Sequence, residues 1–240
     1  MANIHFVLQG KGGVGKSLIA SLLAQHYQDQ GVETMCFDTD PVNRTFTSFK
    51  ALNVRPVDIL DNGRVIESAF DGFIEKIIQA PADTVIIIDN GASTFLPLCA
   101  YLKDNDIFPF LRDNGHDMMM HTVVTGGQGI LDTMNGLQAL TVNFPDVPVA
   151  VWLNEYFGKT EMNGISVEES KVIQNAENIH AFIRLKELHK DTFAHNFARM
   201  LKERKTFSEA LASTDFTIMC RQRLVMIQRA IAQQIEQACL

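Results

Sequence analysis

Residues 10–17 constrain this chain more than any other segment, because Gly-Lys-Gly-Gly-Val-Gly-Lys-Ser fits the spacing G-x-x-x-x-G-K-[ST] at every fixed position. The apolar run Ile4–Leu8 precedes the segment, and a helical apolar pattern over Lys16–Gln30 follows it. Glycines allow the backbone to curl so that its amide N–H groups point at phosphate oxygens, and the new helix adds its positive end. The sequence therefore predicts a strand, a phosphate-binding loop and a helix, in that order.

Two side chains of this loop carry its chemistry. Lys16 supplies a positive charge for the β- and γ-phosphates, and the Ser17 hydroxyl can ligate magnesium. A glycine-rich turn that matches by chance is the alternative, and the flanking strand and helix patterns argue against it. Asn154-Glu155-Tyr156 does not follow the pattern N-K-x-D, so ATP is favoured over GTP. We predict binding of ATP with Mg²⁺.

Apolar runs and helical patterns alternate along the rest of the chain, which predicts an α/β fold with a mostly parallel, twisted sheet and helices on both faces. Further strands are predicted at Thr34–Phe37, Thr84–Ile88, Met118–Val124, Val149–Leu153 and Ile179–Ile183. Further helices are predicted at Arg64–Gln79, Ile130–Leu140, Thr192–Arg204, Phe207–Ala212 and Ile218–Gln237. Within Tyr101–Asp117 we expect Pro109 to interrupt any helix. No linker or repeat divides the chain, so we expect one domain over residues 1–240, helical from about residue 190.

Acidic residues follow two of the predicted strands. Asp89 comes directly after the run ending at Ile88, and Asp38 and Asp40 follow the strand ending at Phe37. The carboxyl ends of parallel strands meet at one edge of a sheet, so these carboxylates should lie beside the phosphate loop. Asp89 would hold a magnesium-bound water, and one of the other two would orient an attacking water. An isolated Asp after a strand is more often a turn or cap residue.

Composition limits the classes of partner. The net charge of −7 gives no global attraction to nucleic acid or anionic lipid. The four cysteines form no Cys-x-x-Cys pair, which suits neither a zinc site nor an iron–sulfur cluster. The first residues do not resemble a secretory signal, and no apolar stretch approaches the roughly 20 residues that span a bilayer. A cytoplasmic location is expected.

The loop also carries a family resemblance. Lys11–Ser17 matches the deviant Walker A motif K-G-G-x-G-K-[ST] of the ParA/MinD class of P-loop ATPases, which Lys11 distinguishes from other P-loop proteins. Asp38–Pro41 resembles the D-x-D-P switch I of that class. Ile88–Ala92 resembles its switch II, with Gly91 where many members have proline. The detailed pattern is most similar to plasmid conjugal-transfer ATPases of the TraL type.

The resemblance implies a SIMIBI-like P-loop fold and an ATP-dependent sandwich dimer. Lys11 would reach the partner's nucleotide, Lys16 would hold the phosphates, and Asp40 would position the hydrolytic water. Asn154 is similar to the asparagine that many members place against adenine. The implied nucleotide-binding residues are Gly10, Lys11, Gly12, Gly13, Val14, Gly15, Lys16, Ser17, Leu18 and Asn154. The implied magnesium site comprises Ser17, Asp38, Asp40 and Asp89, the carboxylates acting through water.

Three functions remain open at this point. The first is a slow Mg-ATPase switch that cycles between monomer and dimer, with a protein partner in plasmid transfer or partition. The second is a nucleotide-dependent DNA-binding or scaffolding module with little hydrolysis, which would not need Asp40. The third is a metabolic P-loop enzyme of the dethiobiotin synthetase kind, which Lys11 argues against only moderately.

Two segments near the carboxyl terminus each have two interpretations. Arg184–Lys205 holds seven Lys or Arg against three acids, which suits either non-specific DNA contact or a solvated helical face. The helical pattern Ile218–Gln237 carries an apolar stripe opposite a polar face dominated by glutamine. Membrane insertion favours a basic polar face and aromatic anchors, so we expect this helix to pack on the sheet instead.

Overall fold

The computed structural model describes residues 1–61 and 64–240, with the backbone alone for residues 60, 61, 64, 65 and 67. The strands are β1 (Asn3–Val7), β2 (Thr34–Asp38), β3 (Arg55–Pro56), β4 (Leu60–Asp61), β5 (Arg64–Val65), β6 (Val85–Asp89), β7 (Asp117–Thr125), β8 (Val149–Asn154), β9 (Glu161–Met162), β10 (Ile165–Ser166) and β11 (Ile179–Leu185). The helices are α1 (Lys16–Asp29), α2 (Glu67–Ile78), α3 (Phe95–Asp104), α4 (Ile107–Asp113), α5 (Ile130–Asn143), α6 (Lys171–Gln174), α7 (His195–Lys202), α8 (Phe207–Ala212) and α9 (Ile218–Gln237).

The main sheet has the strand order β11-β8-β7-β1-β6-β2-β3, and all of its neighbouring strands are parallel. Parallel neighbours require crossover connections, and helices such as α1, between β1 and β2, supply them. Two short antiparallel hairpins, β4–β5 and β9–β10, lie outside this sheet. The predicted α/β fold class is confirmed.

Strand β6 shows why helices cover both faces of the sheet. Its alternate residues point to opposite faces, so Ile86 and Ile88 join one apolar core while Val85 and Ile87 join the other. The first core includes buried side chains of α2 to α5, and the second includes those of α1 and α7 to α9. A strand buried on both sides must be apolar throughout, which explains its unbroken run of aliphatic residues.

The last helix packs on the sheet, as its composition indicates. Leu224, Ile227, Ile231 and Ile235 are buried in the second core. Each buried aliphatic side chain contributes about 1.5–3 kcal/mol to folding, so packing this apolar stripe on the sheet stabilises the folded protein. No helix within the described ranges combines the length and hydropathy needed to cross a bilayer.

Two predicted helices begin later than their sequence patterns suggest. The prediction of a helix from Arg64 is wrong at its start, because β5 pairs with β4 and α2 begins only at Glu67. The helix predicted from Thr192 is preceded by a π-helical turn, Lys190–Ala194, and α7 itself begins at His195. Helical periodicity does not distinguish these irregular turns from the regular helix that follows.

Pro109 does not interrupt a helix, contrary to expectation. It occupies the third position of α4, where an amide N–H would have no intrahelical acceptor and its loss costs little. Asp106, with a φ of 48°, separates α3 from α4. Phe108 then packs edge-on against Phe6 and Phe144, which holds the short helix on the first core.

Candidate nucleotide-binding site

The loop between β1 and α1, which we call the P-loop, curls as the glycine spacing predicts. Gly13 and Gly15 have φ values of 74° and 113°, in the left-handed region that favours glycine. Gly15 stands at the amino-terminal cap of α1, so the first free amide groups of that helix face the curl. Val14 is buried between these glycines and fixes the loop to the protein.

Gln9 anchors the start of the P-loop, and the sequence analysis did not identify it. Its Oε1 accepts hydrogen bonds from the amide groups of Gly10 (2.8 Å) and Lys11 (3.4 Å). Its Nε2 donates to the carbonyl groups of Val123 and Thr133, 3.0 Å from each. The sequence shows only a polar amide directly before the glycine-rich loop; that this amide is fully buried and bonded on both sides is visible in the structure alone.

The two lysines of the P-loop have different surroundings. Lys16 is buried, and its ammonium donates to the carbonyl oxygen of Lys11 at 2.9 Å. Burial lowers the pKa of Lys16, and the charges of Asp89 and Asp40 oppose that shift. Lys11 is exposed, and its ammonium lies 2.7 Å from the carboxylate of Asp132 in the first turn of α5. Nothing in the sequence pattern distinguishes Asp132 from other helix-start acids as the partner of Lys11.

The sheet register brings the predicted acids together. Asp89 pairs in register with Val7 of β1 on one side and with Asp38 of β2 on the other. The P-loop starts just beyond Val7, so both carboxylates lie at the edge where the loop curls. The close approach of Gly91 to Asp40 brings Asp40 to the same edge, and the charges of Asp89 and Asp40 both act to raise the pKa of Lys16.

Asp89 is the most unusual member of the group. It is 1% exposed, and neither carboxylate oxygen has a partner with hydrogen-bond geometry among the described residues, although the Ser17 hydroxyl lies close enough to oppose the shift of its pKa. Burial raises its pKa to about 8; Asp38 and Asp40 add to the shift, while the nearby Ser17 hydroxyl and Lys16 oppose it. A buried, unpaired carboxylate is costly unless a cation or a proton neutralises it. The Asp89 carboxylate is therefore suited to binding a cation that neutralises its charge.

Asp38 and Asp40 hold the loop after β2, which we call switch I. Asp38 accepts from the amide of Asp40 at 3.0 Å and from the amide and hydroxyl of Thr47 at 2.9 and 3.0 Å. Asp40 accepts from the amides of Val42 and Asn43 and from the Asn43 side chain. Burial acts to raise the pKa of Asp40, but these hydrogen bonds and Lys16 lower it, which keeps the carboxylate ionised.

The close packing of Gly91 against Asp40 explains why switch II has glycine at this position, where many members of the class have proline. A Cβ at this position would lie 2.9 Å from both Cα and Cγ of Asp40. Only glycine allows the two switch segments to approach this closely. The backbone of switch II therefore forms one wall beside the Asp40 carboxylate.

Asn154 lies where β8 ends and contacts the P-loop directly. Its Nδ2 donates to the carbonyl of Val14 at 2.9 Å, and its Oδ1 accepts from the amide of Tyr156 at 3.1 Å. Both ends of the side-chain amide are thus engaged by the protein, although the NH₂ group keeps one further N–H. The predicted contact with adenine stays a prediction.

The chain matches, over residues 5–215, the family described as the CobQ/CobB/MinD/ParA nucleotide binding domain. The chain belongs to this family. Over its whole length it is also 46% identical to an Escherichia coli protein named Protein TraL, with both chains covered completely. The resemblance to the ParA/MinD class, and within it to the TraL type, is confirmed.

Solved structures of the CobQ/CobB/MinD/ParA family show the same fold. The chain superposes on a chain of the Aquifex aeolicus MinC:MinD cell division protein complex with a TM-score of 0.53 and 14% identity, covering 95% of this chain and 94% of that one. For the Aquifex aeolicus MinD cell division protein the TM-score is 0.51 and the identity 12%, with 95% of each chain covered. At these identities the likeness concerns the fold alone.

Proposed function

We propose that this protein is a Mg-ATP-dependent molecular switch that hydrolyses ATP slowly and dimerises around the nucleotide. The observation that carries the proposal is the unpaired, buried Asp89 carboxylate beside Lys16 at the mouth of the P-loop. A structural carboxylate would be expected to have a hydrogen-bond partner at this depth. A carboxylate that serves a hydrated Mg²⁺ needs its oxygens free.

The residues of the site fit the nucleotide and its metal. The P-loop from Gly10 to Leu18 would surround the phosphates, with Lys16 as the buried cation that faces them. Ser17 would be a direct ligand of Mg²⁺, and Asp89 would act through water, with Asp38 and Asp40 in the same water shell. When bound, Mg²⁺ neutralises phosphate charge during transfer of the terminal phosphoryl group.

Asp40 supports hydrolysis rather than simple binding. Its lowered pKa keeps it ionised at neutral pH, so it can accept a hydrogen bond from a water molecule and orient it. Three protein hydrogen bonds reach its two oxygens, which have about four acceptor sites in all. This remaining capacity favours the ATPase over the scaffolding alternative.

The surface around the P-loop supports dimerisation. Exposed apolar side chains occur after four strands of the main sheet, two on each side of β1: Val42 after β2, Leu96 after β6, Leu131 after β7 and Tyr156 after β8, each between 58% and 73% exposed. All four follow carboxyl ends of parallel strands, so they lie on the face that carries the nucleotide site. Burying them against a second copy would place the exposed Lys11 near the partner's phosphates.

For the cellular role we propose plasmid conjugal transfer, with DNA partition or positioning as the wider class. Support comes from the full-length similarity to Protein TraL and from membership in the CobQ/CobB/MinD/ParA family. A protein component of the transfer or partition machinery would be the partner that stimulates hydrolysis.

The first experiment measures ATP affinity by calorimetry with Mg²⁺ present. We expect Lys16→Ala to weaken binding roughly 100-fold, because a charge-assisted contact to the phosphates is lost. Lys50→Ala, at an exposed lysine outside the site, is the matched control and should bind as the wild-type protein does. Wild-type protein without affinity for ATP, or a Lys16→Ala variant with full affinity, would refute the proposal.

A second experiment separates a switch from a scaffold. Light scattering should detect an ATP-dependent dimer in the wild-type protein and in Asp40→Asn, whereas Lys11→Ala should stay monomeric. Turnover should be lost in both variants. If Asp40→Asn hydrolyses ATP as fast as the wild type, the role assigned to Asp40 is wrong and the scaffolding alternative gains support.

A further inference from the structure

Residues 154–168 form a segment that we call the base-side loop, because it follows β8 at the edge of the sheet where the P-loop lies. It comprises a 3₁₀ turn, Glu155–Phe157, and the hairpin β9–β10. Two backbone hydrogen bonds outside the hairpin hold it together: Gly158 N to Glu155 O and Val167 N to Thr160 O, both 3.0 Å. So small a segment needs support from the rest of the protein to keep one position.

The base-side loop contacts the P-loop and the turn after β7. Asn154 donates to the carbonyl of Val14 in the P-loop. At Gly126, an added Cβ would lie 2.2 Å from the carbonyl oxygen of Gly158, so the two backbones touch. A shift of the base-side loop would therefore move Asn154 relative to the P-loop.

One side chain holds both ends of the base-side loop. The guanidinium of Arg184 donates through Nη1 to Glu155 at 2.5 Å and through Nη2 to Glu168 at 2.5 Å. Nη1 also lies 3.4 Å from the Thr160 hydroxyl. The side chains of this cluster are only 18–34% exposed, so water screens the charges less than on an open surface.

The backbone of Arg184 is held in turn by the last helix. Arg184 lies on the edge strand β11, in register with Leu153 of β8. The side-chain amide of Gln234 accepts from the Arg184 amide at 2.8 Å and donates to its carbonyl at 3.1 Å. The Gln234 side chain thus makes the two hydrogen bonds to the Arg184 backbone that a further neighbouring strand would make. A continuous series of contacts runs from α9 through Arg184 to the base-side loop and the P-loop.

We propose that Arg184 is a positioning residue that sets the base-side loop for the nucleoside part of the bound nucleotide. The inference rests on the proposed function and extends it. The guanidinium holds its N–H groups in one plane at fixed spacing, one for each carboxylate, whereas the rotatable donors of a lysine ammonium would hold the two ends of the loop less rigidly. The phosphates would contact the P-loop amide groups and Lys16, neither of which Arg184 touches, so their binding should depend on Arg184 far less than binding of the nucleoside part does.

The test compares ATP with inorganic triphosphate, which lacks the base and ribose, by calorimetry on the full chain. In Arg184→Gln we expect ATP affinity to fall about tenfold while triphosphate affinity stays at the wild-type value. Arg184→Lys should give an intermediate loss. Arg199→Gln, which removes the ion pair between Arg199 of α7 and Glu203 just after that helix, is the matched control and should leave both affinities unchanged.

A double-variant cycle adds a readout that general destabilisation would not produce. Glu155→Gln alone should lower ATP affinity, and adding it to Arg184→Gln should lower the affinity little further, because Arg184→Gln already removes the contact with Glu155. If Arg184→Gln does not fold, Glu168→Gln, which leaves the Arg184–Glu155 pair intact, should still lower the ratio of ATP to triphosphate affinity several-fold.

An unchanged ratio in folded Arg184→Gln, or an equal loss for ATP and triphosphate, would overturn the inference and leave the proposed function standing. Wild-type protein that binds neither ligand would overturn the proposed function itself.

Discussion

Among single residues, Lys11 is the one whose contact in the structure differs from its proposed target. It pairs with Asp132 of the same chain at 2.7 Å, yet the proposed dimer requires it to contact the partner's nucleotide. The ion pair must therefore open when the dimer forms. Both side chains are about half exposed, so opening costs at most about 1 kcal/mol.

Asp132→Asn should consequently strengthen the ATP-dependent dimer. We expect its dissociation constant to fall by up to about fivefold, because the lysine no longer leaves an ionic partner. Sedimentation at several protein concentrations measures this. Asp146→Asn is the control, since Asp146 precedes β8 and therefore lies at the amino ends of the strands, away from the P-loop. A weaker dimer would mean that Asp132 itself contributes to the interface.

Gly91 provides the second test at this scale. Gly91→Ala places a methyl group 2.9 Å from Asp40, so switch I must shift while the backbone at residue 91 remains allowed. We expect ATP turnover to fall about tenfold or more, since small misplacements of a positioning group are costly. In Gly72→Ala, on the exposed side of α2, the added methyl contacts nothing. That control should keep its turnover and gain about 0.5–1 kcal/mol of stability.

Between secondary-structure elements, a buried polar chain links β8, β7, β1 and α1. Trp152 Nε1 donates to His121 Nδ1 at 3.0 Å, so neutral His121 carries its proton on Nε2. That nitrogen lies 2.8 Å from His5 Nδ1, which must accept. His5 therefore carries its proton on Nε2, facing the Tyr27 hydroxyl at 3.0 Å. The arrangement requires both histidines to be neutral.

Stability should therefore fall in mild acid. Burial lowers the pKa of His5 from 6.5 to about 3 and lowers that of His121 as well. The unfolded chain takes up these protons near pH 6.5, and the folded chain does not. The free energy of unfolding should drop by about 1.4 kcal/mol per histidine for each pH unit below that point.

Urea denaturation between about pH 5 and pH 7.5 measures this slope. Asp89, whose pKa burial raises to about 8, takes up a proton in the folded chain over the same window and opposes the slope, so the comparison is made between variants that all keep Asp89. His5→Asn should remove the contribution of one histidine, about half of what the His5–His121 pair adds to the slope. His195→Gln, at an exposed histidine, should keep the wild-type slope. An identical slope in His5→Asn would contradict the assignment of buried neutral histidines.

At the scale of the whole molecule, the question is whether a chain of net charge −7 presents a basic face to DNA. Within the basic stretch, Arg184, Arg199 and Lys205 pair with carboxylates of the same chain. The exposed cations without an ion pair in the described part of that stretch are Lys186, Lys190, Lys202 and Arg204. The stretch therefore offers DNA four unpaired cations, fewer than the seven Lys and Arg that the sequence contains.

We expect no retardation of duplex DNA at about 0.15 M salt, with or without ATP. At lower salt, if only the four cations of this stretch contact DNA, the slope of log K against log salt should be about −4 per chain. Electrophoretic mobility shift across a salt series measures both quantities. A steeper slope, or retardation at the higher salt, would show that cations outside this stretch also contact DNA.

The sequence by itself determined the fold class and the phosphate loop. Strand–loop–helix order and glycine spacing are local properties, because left-handed backbone at Gly13 and Gly15 requires those residues whatever surrounds them. The unbroken aliphatic run of β6 also reports burial on both faces directly. Asp38 and Asp89 were identifiable because acids that end adjacent parallel strands must meet at one edge.

Only the tertiary structure decided which side chains pair. Asp132 lies 121 residues from Lys11, and Arg184 reaches Glu155 and Glu168 across 29 and 16 residues. Gln9, the histidine chain and the close approach of Gly91 to Asp40 likewise depend on packing between elements. Sequence patterns predict backbone conformation and burial from neighbouring residues, whereas a hydrogen bond between distant residues depends on where the completed sheet and its helices place them.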